Sequence, residues 1–437
     1  MSGADIRYWT ATPGGPLRGT LRVPGDKSIS HRAVMLGALA EGVTRIRGFL
    51  EGEDTRATAR VFAQMGVRIE APSDGERLVH GVGLHGLRAP VQALDCGNAG
   101  TGMRLLAGVL AGQRFDSVLV GDASLTRRPM RRVIDPLVAM GARIDSQDGL
   151  PPLQVHGGAV LHGLEATPDV ASAQVKSAIL LAGLYAQGET AVLEPHPTRD
   201  YTERMLSAFG WPIEFSPGRA RLSGGHALRA IDVDVPADFS SAAFFLVAAS
   251  LVPGSELTLE RVGVNPRRTG LLHVLQAMGA DIEVRPAGEQ GGEPVADLHV
   301  RHAPLHGIEV PVAHVPDMID EFPALFVAAA CASGRTVVRG AAELRVKESD
   351  RIKSMAAGLR ALGVRVDETP DGATVHGGPL QAGVIDSVGD HRIAMSFAIA
   401  GQCAQGPVRI ADTANVATSF PGFVALAQGA GMGLADA

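Results

Sequence analysis

Aromatic side chains are scarce in this sequence: 13 Phe, three Tyr and two Trp among 437 residues. The hydrophobic share is still 46 %, so the core has to come from many close contacts between small aliphatic side chains rather than from a few bulky clusters. Cysteine is scarcer. Cys96, Cys331 and Cys403 have neither metal-ligand spacing nor the pattern of a disulfide framework, and they read as buried or incidental thiols of a reducing compartment. No apolar run approaches the ~20 residues of a membrane span; Ser240–Leu251 stops well short. The start, Met1–Arg7, lacks the basic-then-apolar profile of a signal peptide, which makes the cytoplasm the default. Positive charge is not in excess either, the net charge being −6, so the surface as a whole does not attract nucleic acid or anionic lipid. An anionic ligand must be held by local clusters of Lys and Arg.

Glycine, by contrast, is abundant and periodic. A small-residue apolar helix followed by a strand recurs at Ala33–Arg47, Met103–Val120, Ser177–Leu193, Ala242–Leu259, Ala324–Val338 and Ala394–Ile410. A more polar helix then ends in an aliphatic–Gly signal: Met65-Gly66, Met140-Gly141, Phe209-Gly210, Met278-Gly279 and Leu362-Gly363, with a degenerate sixth at Gln428-Gly429. Gly just past a helix is the expected C-cap, because it enters the left-handed region without a Cβ clash. Strand-end glycines follow at His80-Gly81, His156-Gly157, Gly224-Gly225, His306-Gly307 and His376-Gly377. The unit is a β-α-β-α-β-β repeat of roughly 70 residues, present six times, too long for ankyrin or tetratricopeptide arrays. The fold class is therefore α/β with two domains of three repeats each: residues 24–235 as one, and 1–23 with 236–437 as the other. The early strand Leu17–Val23 would complete the last domain. The chain would cross between domains near Pro24 and Pro236, with a ligand site between the domains.

Polar motifs stand at the starts of the apolar helices. Pro24–Arg32 (PGDKSISHR) brings Lys27 and Arg32 to a helix N-terminus that already favours anions, with Ser28 and Ser30 as caps. It is not a Walker A loop, because Asp26 separates Gly25 from Lys27. Gly97–Arg104 (GNAGTGMR) is a glycine-rich concavity suited to a phosphate or carboxylate. In Arg127–Arg132, Arg128 precedes a helix-starting Pro and is placed to clamp an anion. Ser172–Lys176 and Thr198–Tyr201 offer hydroxyl, amide and guanidinium groups. Asp317–Glu321, Arg345–Arg351 and Asp390–Arg392 put carboxylates and cations at equivalent points of successive repeats.

Taken in order, PGDKSISHR, GNAGTGMR, RRPM, SAQVKSA, RVKESDR and DHRIAMSF resemble the signatures of the 5-enolpyruvylshikimate-3-phosphate synthase family over essentially the whole chain. The resemblance implies a two-domain inside-out α/β barrel, no metal or organic cofactor, a monomer, and two small-molecule substrates, phosphoenolpyruvate (PEP) and shikimate 3-phosphate. It implies that Lys27, Gly100, Arg128, Gln174, Lys347, Arg351 and Arg392 surround PEP. Lys27, Ser28, Arg32, Thr101, Ser172, Gln174, Thr198, Arg199, Tyr201, Asp320 and Lys347 would hold shikimate 3-phosphate. Proton transfer falls to Lys27, Asp320, Glu348 and His391, with Glu348 the donor to C3 of PEP. Gly100, rather than Ala, would leave room for the inhibitor glyphosate. Thr418 stands where many members have Lys, Ala173 replaces a second Ser, and Glu343 stands where Asn is common. The nearest rival is the sister enzyme acting on UDP-N-acetylglucosamine, whose mobile loop carries a reactive Cys; Ser124–Arg132 has none. A non-catalytic repeat scaffold is the rival of another class.

Overall fold

The computed structural model describes residues 7–436. Contacts divide the chain into two compact units, one of residues 25–236 with 289–293, the other of residues up to 24, 237–288 and 294 onward. The first contains α1 (Lys27–Leu39), α2 (Glu53–Gln64), α3 (Gly100–Ala111), α4 (Arg131–Ala139), α5 (Ala173–Gly183) and α6 (Tyr201–Ala208). The second contains α7 (Phe239–Leu251), α8 (Gly270–Ala277), α9 (Phe322–Cys331), α10 (Arg351–Ala361), α11 (His391–Cys403) and α12 (Phe423–Gly429).

Odd-numbered helices are the apolar ones, and they are buried on every side; in α7 each residue from Phe239 to Ser250 is out of solvent. A helix apolar all round can only sit inside. Even-numbered helices bury one stripe: in α10 it is Arg351, Ile352, Met355, Ala356, Gly358 and Leu359, the spacing of a single helical face. Six small sheets, three in each unit, cover the buried helices. In a typical one, Leu94–Asp95 runs parallel to Ser117–Val120, which pairs antiparallel with Leu150–His156, itself in a hairpin with Arg143–Gln147.

Each unit closes on itself by lending a strand from one of its ends. In the first, Leu228–Arg229 and Val233–Asp234 lie parallel to Ala40–Arg47 of the opening repeat. In the second, Arg18–Leu21 joins Glu256–Gly263 in parallel. The strand that completes the last sheet is Tyr8–Thr12, paired with both Val408–Ala411 and Gly433–Asp436. The expected strand Leu17–Val23 thus joins the C-terminal unit as expected, as Arg18–Leu21 in its first sheet, and an earlier strand, Tyr8–Thr12, completes its last sheet. Trp9 anchors it, stacked 5.5 Å from Phe423, which meets Phe244, Phe245 and Phe420 at 5.3–6.2 Å. Five of the 18 aromatics thus form one bulky cluster, a local exception to the expectation from composition.

The helix-ending glycines Gly66, Gly141, Gly210, Gly279 and Gly363 all have positive φ. In the sixth repeat that role belongs to Gly431 (φ 101°) and not to Gly429. The strand-end glycines have another cause. A Cβ on Gly81, Gly224 or Gly377 would stand about 2 Å from the carbonyl oxygen of Ala40, Ala186 or Ala332, where the chain leaves an inner helix.

The inner helices approach closely at Gly108 of α3, where a Cβ would lie 2.2 Å from the Ala178 carbonyl oxygen on α5. Elsewhere in a helix Gly→Ala gains about 1 kcal/mol. Here the obstacle is backbone, so Gly108→Ala is expected to lower stability by about 1–3 kcal/mol, read as a reduced urea midpoint with an unchanged m-value.

Candidate active site

In the first unit, the N-termini of α1, α3 and α5 come together. Asp26 caps α1, accepting from Ile29 N at 2.9 Å, so the cap is not Ser28 or Ser30; the Ser30 hydroxyl instead accepts from Leu50 N. The Tyr201 hydroxyl donates to the other Asp26 oxygen at 3.2 Å. Lys27 projects from the first turn and meets Asp54 at 2.6 Å. The Asp26 cap and this pair fix where the ammonium group sits.

Across α3 and α5 runs a chain of side-chain hydrogen bonds. Arg104 donates to the Gln174 carbonyl oxygen at 2.7 Å, and the Gln174 amide donates to the Thr101 hydroxyl at 2.8 Å. Both ends of Gln174 are thereby committed and its orientation is set. Ser172 caps α5. Arg128 lies beside this group: a Cβ on Gly100 would stand 2.8 Å from its guanidinium and 3.2 Å from that of Arg104. Arg128 is buried while Arg127 and Arg131 are exposed, and it donates to the Asn98 amide oxygen at 2.8 Å. The helix after it begins at Arg131 rather than at Pro129.

Arg32 is buried and its donors are answered by Thr202 (2.7 Å), Ser177 (2.9 Å) and the Ser28 carbonyl (2.9 Å). Burial, reinforced by the Arg199 charge, lowers its pKa to about 10. Arg32 and Arg199 thus form a concentrated positive region next to Tyr201, whose ring lies 5.9 Å from the Arg32 guanidinium carbon. Lys176 is a structural cation. It is buried 2.8 Å from both Glu194 and Glu203; burial opposes its charge, but the two carboxylates outweigh that and hold it above its ordinary value. Glu194 also binds the Thr198 hydroxyl at 2.5 Å, which turns that side chain inward and fixes the loop that presents Arg199.

In the second unit, the N-termini of α7, α9 and α11 converge on Arg392. Its guanidinium donates to the Ser240 hydroxyl of α7 and to the Asp320 carbonyl at 3.0 Å, and stands 3.5 Å from Glu321, both before α9. Asp390 caps α11 and pairs with Arg351 at 2.9 Å. Arg351 is 1 % exposed, and its nitrogens also meet Glu348 (2.7 Å) and Asp320 (3.5 Å). Burial works against its charge, yet Asp390, Glu348 and Asp320 outweigh that and keep it firmly protonated. The Asp320 carboxylate thus receives Arg351, Lys347 (3.6 Å) and Arg268 (3.6 Å). Burial lowers the Lys347 ammonium, with Asp320 and Glu343 pulling the other way. His391 is buried at the head of α11. Thr418 is buried in a short 3₁₀ turn, its hydroxyl on the Asn415 carbonyl.

The expected site residues fall into two groups, one in each unit. In the first, Lys27, Ser28, Arg32, Gly100, Thr101, Ser172 and Gln174 stand at the starts of the inner helices α1, α3 and α5, and Arg128, Thr198, Arg199 and Tyr201 at or before the outer helices α4 and α6; in the second, Asp320, His391 and Arg392 stand at or before the inner helices α9 and α11, and Lys347, Glu348 and Arg351 at the start of the outer helix α10. Two contributors escaped sequence reasoning. Arg104 lay inside a recognised motif but was read as part of a glycine turn. Arg268, buried against Glu321 at 3.1 Å, follows Pro266 and Arg267 in a stretch with no motif, and nothing local in the sequence marks it.

Residues 11–426 match the family model described as EPSP synthase (3-phosphoshikimate 1-carboxyvinyltransferase). The chain belongs to the EPSP synthase family. It is 71 % identical over 435 residues to the 3-phosphoshikimate 1-carboxyvinyltransferase of Xanthomonas euvesicatoria pv. vesicatoria, covering 99 % of both chains. A solved structure of EPSP synthase from Acinetobacter baumannii superposes with a TM-score of 0.88 at 51 % identity, over 99 % of this chain and 100 % of that one. The enolpyruvyl transferase NikO from Streptomyces tendae, 19 % identical, has the same fold with a TM-score of 0.81 over 99 % of each chain. Members of the family are transferases, and the two solved structures share the α/β fold of this chain.

Burial, followed by the charges of Lys27 and Arg32, holds His31 well below its ordinary pKa of 6.5. As pH falls below about 6.5 the unfolded chain takes up a proton that the folded protein refuses, so stability declines by at most about 1.4 kcal/mol per pH unit from this group. Urea midpoints at pH 7.5 and 5.5 are expected to differ less in His31→Gln than in the wild type. An equal or larger difference would refute the assignment.

Proposed function

We propose that this protein transfers the enolpyruvyl group of PEP to the 5-hydroxyl of shikimate 3-phosphate, releasing phosphate, as a step towards chorismate and the aromatic amino acids. The observation that carries the reading is the pairing of two charge patterns within one EPSP synthase family chain. One unit presents Lys27 at the start of α1 and Arg128 beside Gly100, and the other presents Lys347 and Arg392 beside Asp320. Two anionic substrates repel one another, and bringing them together demands fixed positive charge out of bulk water.

In the proposed assignment PEP is bound by Lys27, Gly100, Arg128, Gln174, Lys347 and Arg392, with Arg351 bracing that group. Shikimate 3-phosphate is bound by Ser28, Arg32, Thr101, Ser172, Gln174, Thr198, Arg199 and Tyr201, together with Lys27, Asp320 and Lys347. Chemistry begins with a proton delivered to C3 of PEP by Glu348. The 5-hydroxyl attacks C2 and its proton passes to Asp320 or Lys27. A tetrahedral intermediate results, with PEP's phosphate still attached. Removal of a proton from C3 then re-forms the double bond as phosphate leaves. His391 stands at the head of α11 among these groups and is the remaining candidate for proton transfer. The protein works as a cytoplasmic monomer in this reading.

Three assays separate the readings. Phosphate release is expected with PEP plus shikimate 3-phosphate and not with PEP plus UDP-N-acetylglucosamine; release with neither pair would sink the transferase reading. Lys27→Met is expected to lower kcat/KM by at least ~100-fold, the scale of losing a preorganised charge contact, while the far-UV spectrum and unfolding midpoint stay near wild type. Glyphosate in the millimolar range is expected to inhibit the wild type strongly. Gly100→Ala, whose new methyl presses on Arg128, is expected to relieve that inhibition and to raise the KM for PEP.

A further inference from the structure

Cys331 and Cys403 are the last residues of α9 and α11, and each is followed by an alanine C-cap. These are two inner helices of one unit, and their other ends carry Asp320-Glu321 and Asp390-His391-Arg392. Helices that start side by side and run together bring their ends together too. The two thiols lie near enough to shift each other's ionisation. Both are half-buried, whereas Cys96 is fully buried. Both line one cavity of about 220 Å³, along with His302, Pro304 and Leu380. None of these residues takes part in the polar groups at the opposite ends of the helices.

The pair is unequal. Cys331 holds the Cys403 thiol below its ordinary value, while Cys403, with burial, pushes Cys331 well above. Cys403 is thus the sulfur that ionises and attacks, and Cys331 the one that resolves. Cys96 has no such partner; burial, with nearby Asp95, pushes it up to about 12.

We propose that Cys331 and Cys403 are a reversible redox pair, converted to an intramolecular disulfide by hydrogen peroxide, which is small enough to enter their cavity. The Cys403 thiolate attacks one peroxide oxygen and the O–O bond breaks. The departing hydroxide takes up the proton Cys403 had released and leaves as water, so that Cys403 becomes a sulfenic acid. The Cys331 sulfur then attacks that sulfur; the S–S bond forms, the S–O bond breaks, and the hydroxide departs with the Cys331 proton as a second water. Two electrons pass from two thiols to one peroxide, and a small dithiol reverses the change. The bond ties together the far ends of α9 and α11, restricting the unfolded chain and holding fixed the two helices that present Asp320 and Arg392.

The test uses the full-length reduced protein, treated with hydrogen peroxide, quenched and alkylated. The free-thiol count is expected to fall from three to one, with a non-reduced peptide joining the Cys331 and Cys403 segments. Tm is expected to rise by roughly 5 °C and to return on adding dithiothreitol. Cys96→Ser should respond as the wild type does. Cys331→Ser should show Cys403 oxidised past the sulfenic acid with no rise in Tm. Three surviving thiols, a disulfide joining two chains, or a Tm rise retained in Cys331→Ser would each overturn the proposal.

Discussion

A guanidinium can be taken out of water only where its charge and its donors are both answered, and that constraint organises both functional groups of this protein. Arg351, Arg268 and Arg32 are nearly inaccessible. Arg351 is answered by Asp390, Glu348 and Asp320, Arg268 by Glu321 and Asp320, and Arg32 by hydroxyls and a carbonyl. These arginines cannot move without stranding a carboxylate or a buried donor, so they behave as part of the scaffold. The cations with looser engagement, Lys347 and Arg392, are held in place by that scaffold. The same division exists in the other unit, where Lys176 is locked between two glutamates and Lys27 stays part-exposed on a single aspartate.

The inner helices supply the geometry. They are apolar over most of their length because they are covered on all sides, and their charged residues cluster toward their starts, with a few hydrogen-bonded polar residues such as Ser250 and Gln402 further along. A cap such as Asp26 or Asp390 fixes the first turn, and the helix dipole adds a modest further bias toward anions there. The proposed substrate groups thus lie largely toward the starts of these helices, where unpaired N–H groups and their capping carboxylates gather. The far ends of α9 and α11 instead carry two cysteines that line one cavity.

Much of this was legible in the sequence, and the failures have physical causes. The six repeats could be read because a glycine is forced wherever an outer helix turns into its strand, and that need is local. Gly431 was missed because the terminal repeat is shorter and its signal displaced by two residues. Tyr8–Thr12 was missed because its partners, Val408–Ala411 and Gly433–Asp436, lie at the other end of the chain; a strand whose pairing is so remote has no local signature. Site residues were legible where they cluster in motifs. Arg268 was not, since its role depends on the approach of Glu321, 53 residues away. The cap at Asp26 was misassigned to Ser28 and Ser30 because all three residue types serve as caps and only backbone geometry distinguishes them.

The account stands on Arg351 acting as a fixed brace rather than as an interchangeable charge. Lysine keeps the charge but cannot span Glu348, Asp390 and Asp320 together. The most direct measurement is the steady-state kcat/KM for PEP in Arg351→Lys, alongside its thermal unfolding. The account predicts a fall of at least about tenfold in a protein that still unfolds cooperatively. A wild-type kcat/KM in the folded variant would contradict it.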